Sequence, residues 1–452
     1  MRNDENFMGS MPVWKLVARL SIPTVIITLV MAVYNMADVF FIGQTGNADM
    51  VNAISVCMPV FTIVQAFGTL VGSGGCVAIS IALGKGERER TRNISAFCFW
   101  FCMALGVLLA VVMSVFSDVL MDMLGAADSY ENYAVTYLRI IACGCPIMLF
   151  SNAFVNILRA DGSIKESMIA NLSGTFLNIV LDPVLILGFK MDVAGAALAT
   201  VAGNLLSLII VVAATRKEDS IICYDIKKVS WKAENSMQVL GLGLPLAVGT
   251  LLISVSYMVM NNLLKGYDTN AQGAFGICRT IMLMSTMIQM GICMGTQPAV
   301  SYNFGLQKLE RVKEIILKTG IVTMAFGAIV STLIILFRKV ILSAVFDNSA
   351  VMVYAEKFII GCLCTSAIYG LYQVCSTSLQ AIKRSMWSTV LTILRQGVVL
   401  VPTMLLLNGL FGLDGLVFCF AVTDIIVASV GVCLLFIALK ALRRPAQAID
   451  GM

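Results

Sequence analysis

The chain has 452 residues, of which 59% are hydrophobic and 13% charged, against roughly 45 to 50% apolar and 25% charged in soluble domains; this excludes an ordinary soluble enzyme and reads as a polytopic membrane protein. The net charge of +5 is not a nucleic-acid signal, because the basic residues gather in short segments between apolar runs. Histidine is absent, which removes the commonest general base and the commonest zinc ligand together.

A run of about 20 apolar residues crosses the ~30 Å bilayer core at ~1.5 Å per residue. Twelve such runs are predicted, all helical: 16–43, 51–82, 93–116, 133–158, 167–188, 194–215, 236–264, 274–303, 314–337, 352–382, 386–408 and 415–440. The first follows a polar lead, carries Asp38 and has no small-residue cleavage site, so it reads as a retained span and not a signal peptide. With both termini inside, the inner segments hold most of the Lys and Arg residues, among them Lys85, Arg88, Arg90, Arg92, Lys308 and Arg311. The outer segments hold only Lys190, Lys265, Arg338, Lys339 and Lys357, and the positive-inside rule sets the orientation. The expected location is the cell inner (cytoplasmic) membrane.

Span one carries Pro23, which weakens the helix below Asp38 and marks it as the moving part. Gly72-Ser73-Gly74-Gly75 in span two reads as close helix packing, since no strand precedes it as a phosphate loop requires. Span five holds Asn178-Ile-Val-Leu-Asp182-Pro183. An acid at the centre of a spanning helix costs roughly 2.5 to 3.5 kcal/mol, so such a residue is a functional-site hypothesis by default. Asn178 and Asp182 are four apart and share one helical face. The polar segment 216–235 is the expected cytoplasmic linker, with a short interfacial helix around Trp231. It separates an N-terminal six-helix bundle, 1–215, from a C-terminal one, 236–452.

Spans seven and eight are rich in methionine, including Met258, Met260, Met284, Met287 and Met290, and span eight places Arg279, Met282, Thr286, Gln289, Cys293 and Gln297 at three-to-four spacing. Flexible thioethers with scattered amides suit varied, bulky amphipathic ligands. Met258, Met260, Arg279, Met282, Met287 and Gln289 are therefore candidates for a substrate cavity. Arg395 and Asp424, deep in the second half, read as a neutralising pair without a transport role. The fourteen cysteines sit mostly within apolar runs and read as small apolar filler.

The two halves repeat each other. Ser21-Ile22-Pro23 matches Gly243-Leu244-Pro245, "GKGERER" after span two matches "GLQKLER" after span eight, and Asp182-Pro183 matches Val401-Pro402. Two bundles of the same orientation imply parallel repeats related by a pseudo-two-fold along the membrane normal. The acids are not repeated: Asp38 aligns with Met260, Asn178 with Val398, Thr200 with Phe420 and Asp182 with Val401. Counting along the helices, Asp38, Asp182 and Thr200 lie roughly 8 to 9 Å below the outer surface, with Asn178 one turn deeper. Two carboxylates, an amide and a hydroxyl at one depth can hold a cation through oxygen ligands or keep a proton between like charges. The competing reading pairs the acids with Arg139 of span four.

In these residues the sequence resembles the multidrug and toxic compound extrusion (MATE) family over essentially all twelve spans. Pro23 and Asp38, Asn178 and Asp182, and Ala196 with Thr200 resemble the cation site of its DinF-like prokaryotic branch. The resemblance implies an antiporter that expels cationic or amphipathic drugs while Na+ or H+ enters, with no cofactor and working as a monomer. If sodium-coupled, Asp38, Asn178, Asp182 and Thr200 would hold the ion. A flippase for a lipid-linked saccharide is the alternative, and it calls for a more basic cavity. No Walker motif is present, and an intramembrane enzyme would have only an aspartyl pair to work with.

Overall fold

The computed structural model describes residues 7–43, 47–124, 129–216, 220–229, 233–267, 269–343 and 349–442, and their side chains except those of 32–43, 48, 233–234, 269–270 and 349–350. Among the described residues the regular structure is helical throughout. The spans run Val13–Gly43, Ala48–Gly84, Arg88–Val115, Glu131–Ala160, Ile164–Pro183 and Asp192–Thr215 in the first half, and Ala233–Lys265, Thr269–Gly305 and Leu309–Leu336 at the start of the second. Span ten is bent by 41° between Val351–Leu363 and Ser366–Ala381. The apolar stretch Ser385–Ala441 is 57 residues long, too long for one crossing. Gly412, with φ 59°, breaks it into spans eleven and twelve, since only glycine enters that backbone region without strain.

Two departures from regular α-helix flank the polar positions. Span five ends in a π turn, Val184–Gly188, directly after Asp182-Pro183, and span eleven contains another, Leu394–Val398, that carries Arg395. Pro183 has no N–H to give the carbonyl of Ile179, so the ladder is already interrupted where the first widening occurs. Short helices not anticipated from the apolar runs lie at Phe7–Ser10, Ser117–Leu124 and Arg338–Ser343.

The chain divides into two compact units, and the division does not fall in the linker. One unit is Met1–Glu5 with Leu29–Ala247, the other Asn6–Thr28 with Val248–Met452. Each repeat's first helix is thus split, span one after Thr28 and span seven after Ala247, a few residues beyond Pro23 and Pro245.

In the first unit, spans two and four meet through glycine. A Cβ on Gly72 would lie 2.9 Å from the Ala153 Cα, and one on Gly106 of span three 2.5 Å from the Pro146 Cα. Spans five and six approach as closely, since a Cβ on Gly174 would lie 2.5 Å from the Gly203 carbonyl oxygen. The linker is pinned to this unit. Ser95 Oγ accepts from Cys223 N at 3.2 Å, Trp100 Nε1 donates to the Tyr224 carbonyl at 3.1 Å, and the Asp161 carboxylate accepts from Ser220 Oγ at 3.2 Å. Tyr224 packs edge-on or tilted against Phe99, Phe150 and Phe154, and burial pushes its phenol up to about 12. Ahead of the helix that starts at Ala233, the described part of the linker has no regular structure apart from a 3-10 turn, Ile226–Lys228; the expected helix around Trp231 lies outside the described residues.

In the second unit, Tyr257, Phe275, Phe358, Leu363, Met404 and Phe420 belong to one buried cluster. The N-terminal hook Phe7–Ser10 is held by polar side chains: Asn303 Nδ2 donates to the Met8 carbonyl at 2.8 Å, and Arg311 Nη2 to the carbonyls of Met8 and Met11 at 3.2 and 2.5 Å. Arg90, the repeat partner of Arg311, does the same service in the first unit, reaching Asn235 Oδ1 at 3.2 Å and Gln238 Oε1 at 3.0 Å at the start of span seven.

These close approaches give a contrast between two glycines. Gly174→Ala should lower the thermal unfolding midpoint of the detergent-purified protein, at a cost of about 1 to 3 kcal/mol. Gly241→Ala, where an added methyl meets nothing within 4 Å, should leave the midpoint unchanged or raise it slightly. Equal midpoints for the two variants would contradict the packing described.

Candidate cation site

The glycine contact between spans five and six sets the geometry of the polar residues beside it. Gly174 and Asn178 are one turn apart on span five, as are Gly203 and Thr200 on the facing side of span six. With the two backbones drawn together, Asn178 Nδ2 donates to Thr200 Oγ1 at 3.3 Å, and Thr200 Oγ1 donates to the Ala196 carbonyl at 3.0 Å. Asn178, Thr200 and Ala196 are all buried, and Asp182, one turn along from Asn178, is 0% exposed. Asn178 Oδ1 is buried without a hydrogen-bond partner among the described residues. An oxygen lone pair left over in such a place is costly unless something accepts its charge.

Asp38 lies on the helix Val13–Gly43, and its side chain is outside the described residues. Pro23 sits within that same continuous helix. Thr24 Oγ1 next to it donates to the Leu20 carbonyl at 2.9 Å. Arg139 has partners of its own outside this cluster. Its Nε donates to Ser117 Oγ at 2.9 Å and its Nη2 pairs with Asp118 at 3.1 Å, both partners on the short helix after span three, with the ion pair exposed.

The second-half candidates divide by environment. Met260 and Met282 are buried in the cluster around Phe275, while Met258 is exposed and Met287 half-buried. Gln289 is wholly buried; its Nε2 donates to Ser366 Oγ at 2.8 Å and to Ser285 Oγ at 3.4 Å, and Gly327 and Gly370 leave room for its amide. Met260, Met282 and Gln289 thus belong to the packed interior of their bundle. Helical spacing identified the face they share but not the helices that cover it. Arg279 rests over the Tyr257 ring at 3.8 Å.

Arg395 and Asp424 form a buried pair, Nε to Oδ1 at 2.9 Å, with Thr365 Oγ1 donating to the other carboxylate oxygen at 3.4 Å. The guanidinium also lies over Tyr369 at 4.5 Å and Tyr372 at 5.2 Å. The two tyrosines and Thr365 carry no sequence signal of their own, because only the bend in span ten turns them toward the pair.

Comparison with known proteins follows the same division of the chain. The MatE family model matches residues 23–184 and again 245–406, so both matches begin at the prolines that align the repeats. Multidrug export protein MepA of Staphylococcus saprophyticus is 31% identical over 428 residues, 94% of each chain, and MepA of Staphylococcus aureus is 29% identical over 427 residues, again 94% of each. A solved structure described as MATE in the straight conformation superposes with a TM-score of 0.92 at 24% identity, over 98% of this chain and 99% of that one. One described as MATE in the bent conformation gives 0.91 at 23%, over 98% of each. At that identity the structural likeness speaks for the fold.

Removing one partner from a buried ion pair costs about 3 to 5 kcal/mol, because the other charge is left alone. Asp424→Asn should therefore lower the unfolding midpoint clearly, and the double variant Arg395→Gln/Asp424→Asn should recover part of that loss. A selective loss of sodium or proton coupling with unchanged stability would assign the pair a transport role instead.

Proposed function

Because the chain belongs to the MatE family, whose members are transporters and not enzymes, we propose that it exports organic cations and amphipathic drugs in exchange for Na+ or H+, by alternating access. The observation that carries this reading is the buried oxygen cluster of spans five and six: Asn178 Oδ1 without a partner among the described residues, Thr200 Oγ1 on the Ala196 carbonyl, and a fully buried Asp182. A hard cation takes such oxygens directly. A proton would reside on a carboxylate, with Asn178 and Thr200 as its hydrogen-bond partners. Asp38 supplies the second carboxylate of the site, as the DinF-like branch would have it, and Pro23 gives span one the freedom to respond when the ion or proton arrives.

Drug specificity fits the similar proteins named as multidrug export proteins. The transporter works as a monomer without a cofactor, in the cytoplasmic membrane, with both termini inside as the distribution of Lys and Arg supports.

The test is efflux of a fluorescent cation from proteoliposomes, with a sodium gradient and a proton gradient imposed separately. One of the two should drive efflux. Asp182→Asn and Asn178→Ala should each cut gradient-driven efflux about tenfold or more, the loss expected when a charge-assisted contact to the ion is removed, while binding of the dye persists. Normal efflux by both variants would remove the site.

A further inference from the structure

Span eight carries Pro298 inside the helix Thr269–Gly305, roughly 10 Å before its end. Proline gives no N–H to the ladder, so the helix lacks one of its hydrogen bonds at that turn. Beside the turn lies a cavity of about 10 Å³, lined by Cys293, Thr296 and Gln297 of span eight, Thr319 of span nine, and Thr377 and Ser378 of span ten. All six residues are buried, and none is charged. A polar space of that size is what one water molecule needs, given two to four hydrogen-bond partners.

The lining hydroxyls decide what fits. Thr296 Oγ1 donates to the Ile292 carbonyl at 3.1 Å and Thr377 Oγ1 to the Gln373 carbonyl at 2.8 Å, so each spends its proton on its own helix and keeps lone pairs to accept with. Thr319 Oγ1 differs, being buried without a hydrogen-bond partner among the described residues, and it has a proton to give. Two acceptors and one donor around one small space match a water, which gives two protons and accepts a third. A cation would shed its hydration there with no carboxylate in the lining to balance it. We propose that the cavity is a binding site for a single water that ties spans eight, nine and ten together and makes the Pro298 turn the yielding joint of span eight. The site does not depend on what the chain carries.

The test uses the full-length protein in phosphatidylcholine nanodiscs, exposed to a brief X-ray pulse that turns water into hydroxyl radicals where it sits, with oxidation read by mass spectrometry. Buried thiols are otherwise inert, so Cys293 should be oxidised well above Cys419, which is equally buried but belongs to the apolar cluster around Phe275. Thr319→Val keeps the shape and removes the hydroxyl; it should cut oxidation of Cys293 about fivefold, the loss in water binding expected for one hydrogen bond. Thr319→Ser, which keeps the hydroxyl, should retain it. Amide hydrogen exchange reads the joint: residues 293–303 should exchange faster than 271–292 of the same helix, and Thr319→Val should slow them. Oxidation of Cys293 no higher than that of Cys419, or unchanged by Thr319→Val, would overturn the site. Oxidation that falls when choline in the buffer is replaced by sodium would put an ion where the proposal puts water, and uniform exchange along span eight would overturn the joint.

Discussion

The backbone contact between Gly174 and Gly203 is the constraint on which the rest turns. Where two helices come that close inside a membrane, the polar side chains next to the contact cannot reach water and have to answer to one another. Asn178 meets Thr200, Thr200 meets the Ala196 carbonyl, and the Asn178 oxygen is left over within the described structure. Larger residues at either glycine would separate the amide from the hydroxyl. Small residues thus do more than let helices pack; they set the distance at which an oxygen cage can form.

The two halves use one scaffold for different ends. Arg90 and Arg311 hold corresponding helix starts, and Pro23 and Pro245 precede the two points where a first helix passes from one compact unit to the other. The interiors differ. Thr200 has as its counterpart Phe420, whose ring stacks on Phe275, and Asn178 has Val398, which is exposed. One bundle spends its buried polarity on a carboxylate, an amide and a hydroxyl. The other buries an ion pair, Arg395 with Asp424, and rests a half-buried arginine, Arg279, over a tyrosine.

Much of this was legible in the order of residues, and what was not has physical reasons. Twelve apolar runs gave twelve spans with ends close to those observed, because length and hydropathy are local properties. Depth counting put Asn178 a turn deeper than Thr200, and the tilt of one helix on the other, which no count along a chain contains, brings the amide to the hydroxyl at 3.3 Å. The bend in span ten, between Leu363 and Ser366, was invisible because Cys364-Thr365 carries no proline, glycine or charge to mark a break. So was the hook Phe7–Ser10, whose holder Arg311 is some three hundred residues away. Gln289 shows the limit of periodicity: its spacing put it on a polar face, and Ser366 on another helix decides that the face is interior. The polar segment 216–235 reads as a linker, and its sequence does not show that Asp161, Ser95 and Trp100 fasten its first part to the first unit.

If the oxygens of spans five and six couple ion movement to export, the coupling has to run in both directions, since linkage between two ligands is reciprocal. The direct measurement is ion movement driven by drug. Proteoliposomes loaded with a cationic drug and diluted into drug-free medium, with no ion gradient imposed, should take up sodium or protons as the drug leaves, reported by an enclosed indicator, and Thr200→Val should abolish that uptake. Drug that leaves with neither ion responding, or a Thr200→Val variant that moves ions as wild type does, would contradict the account.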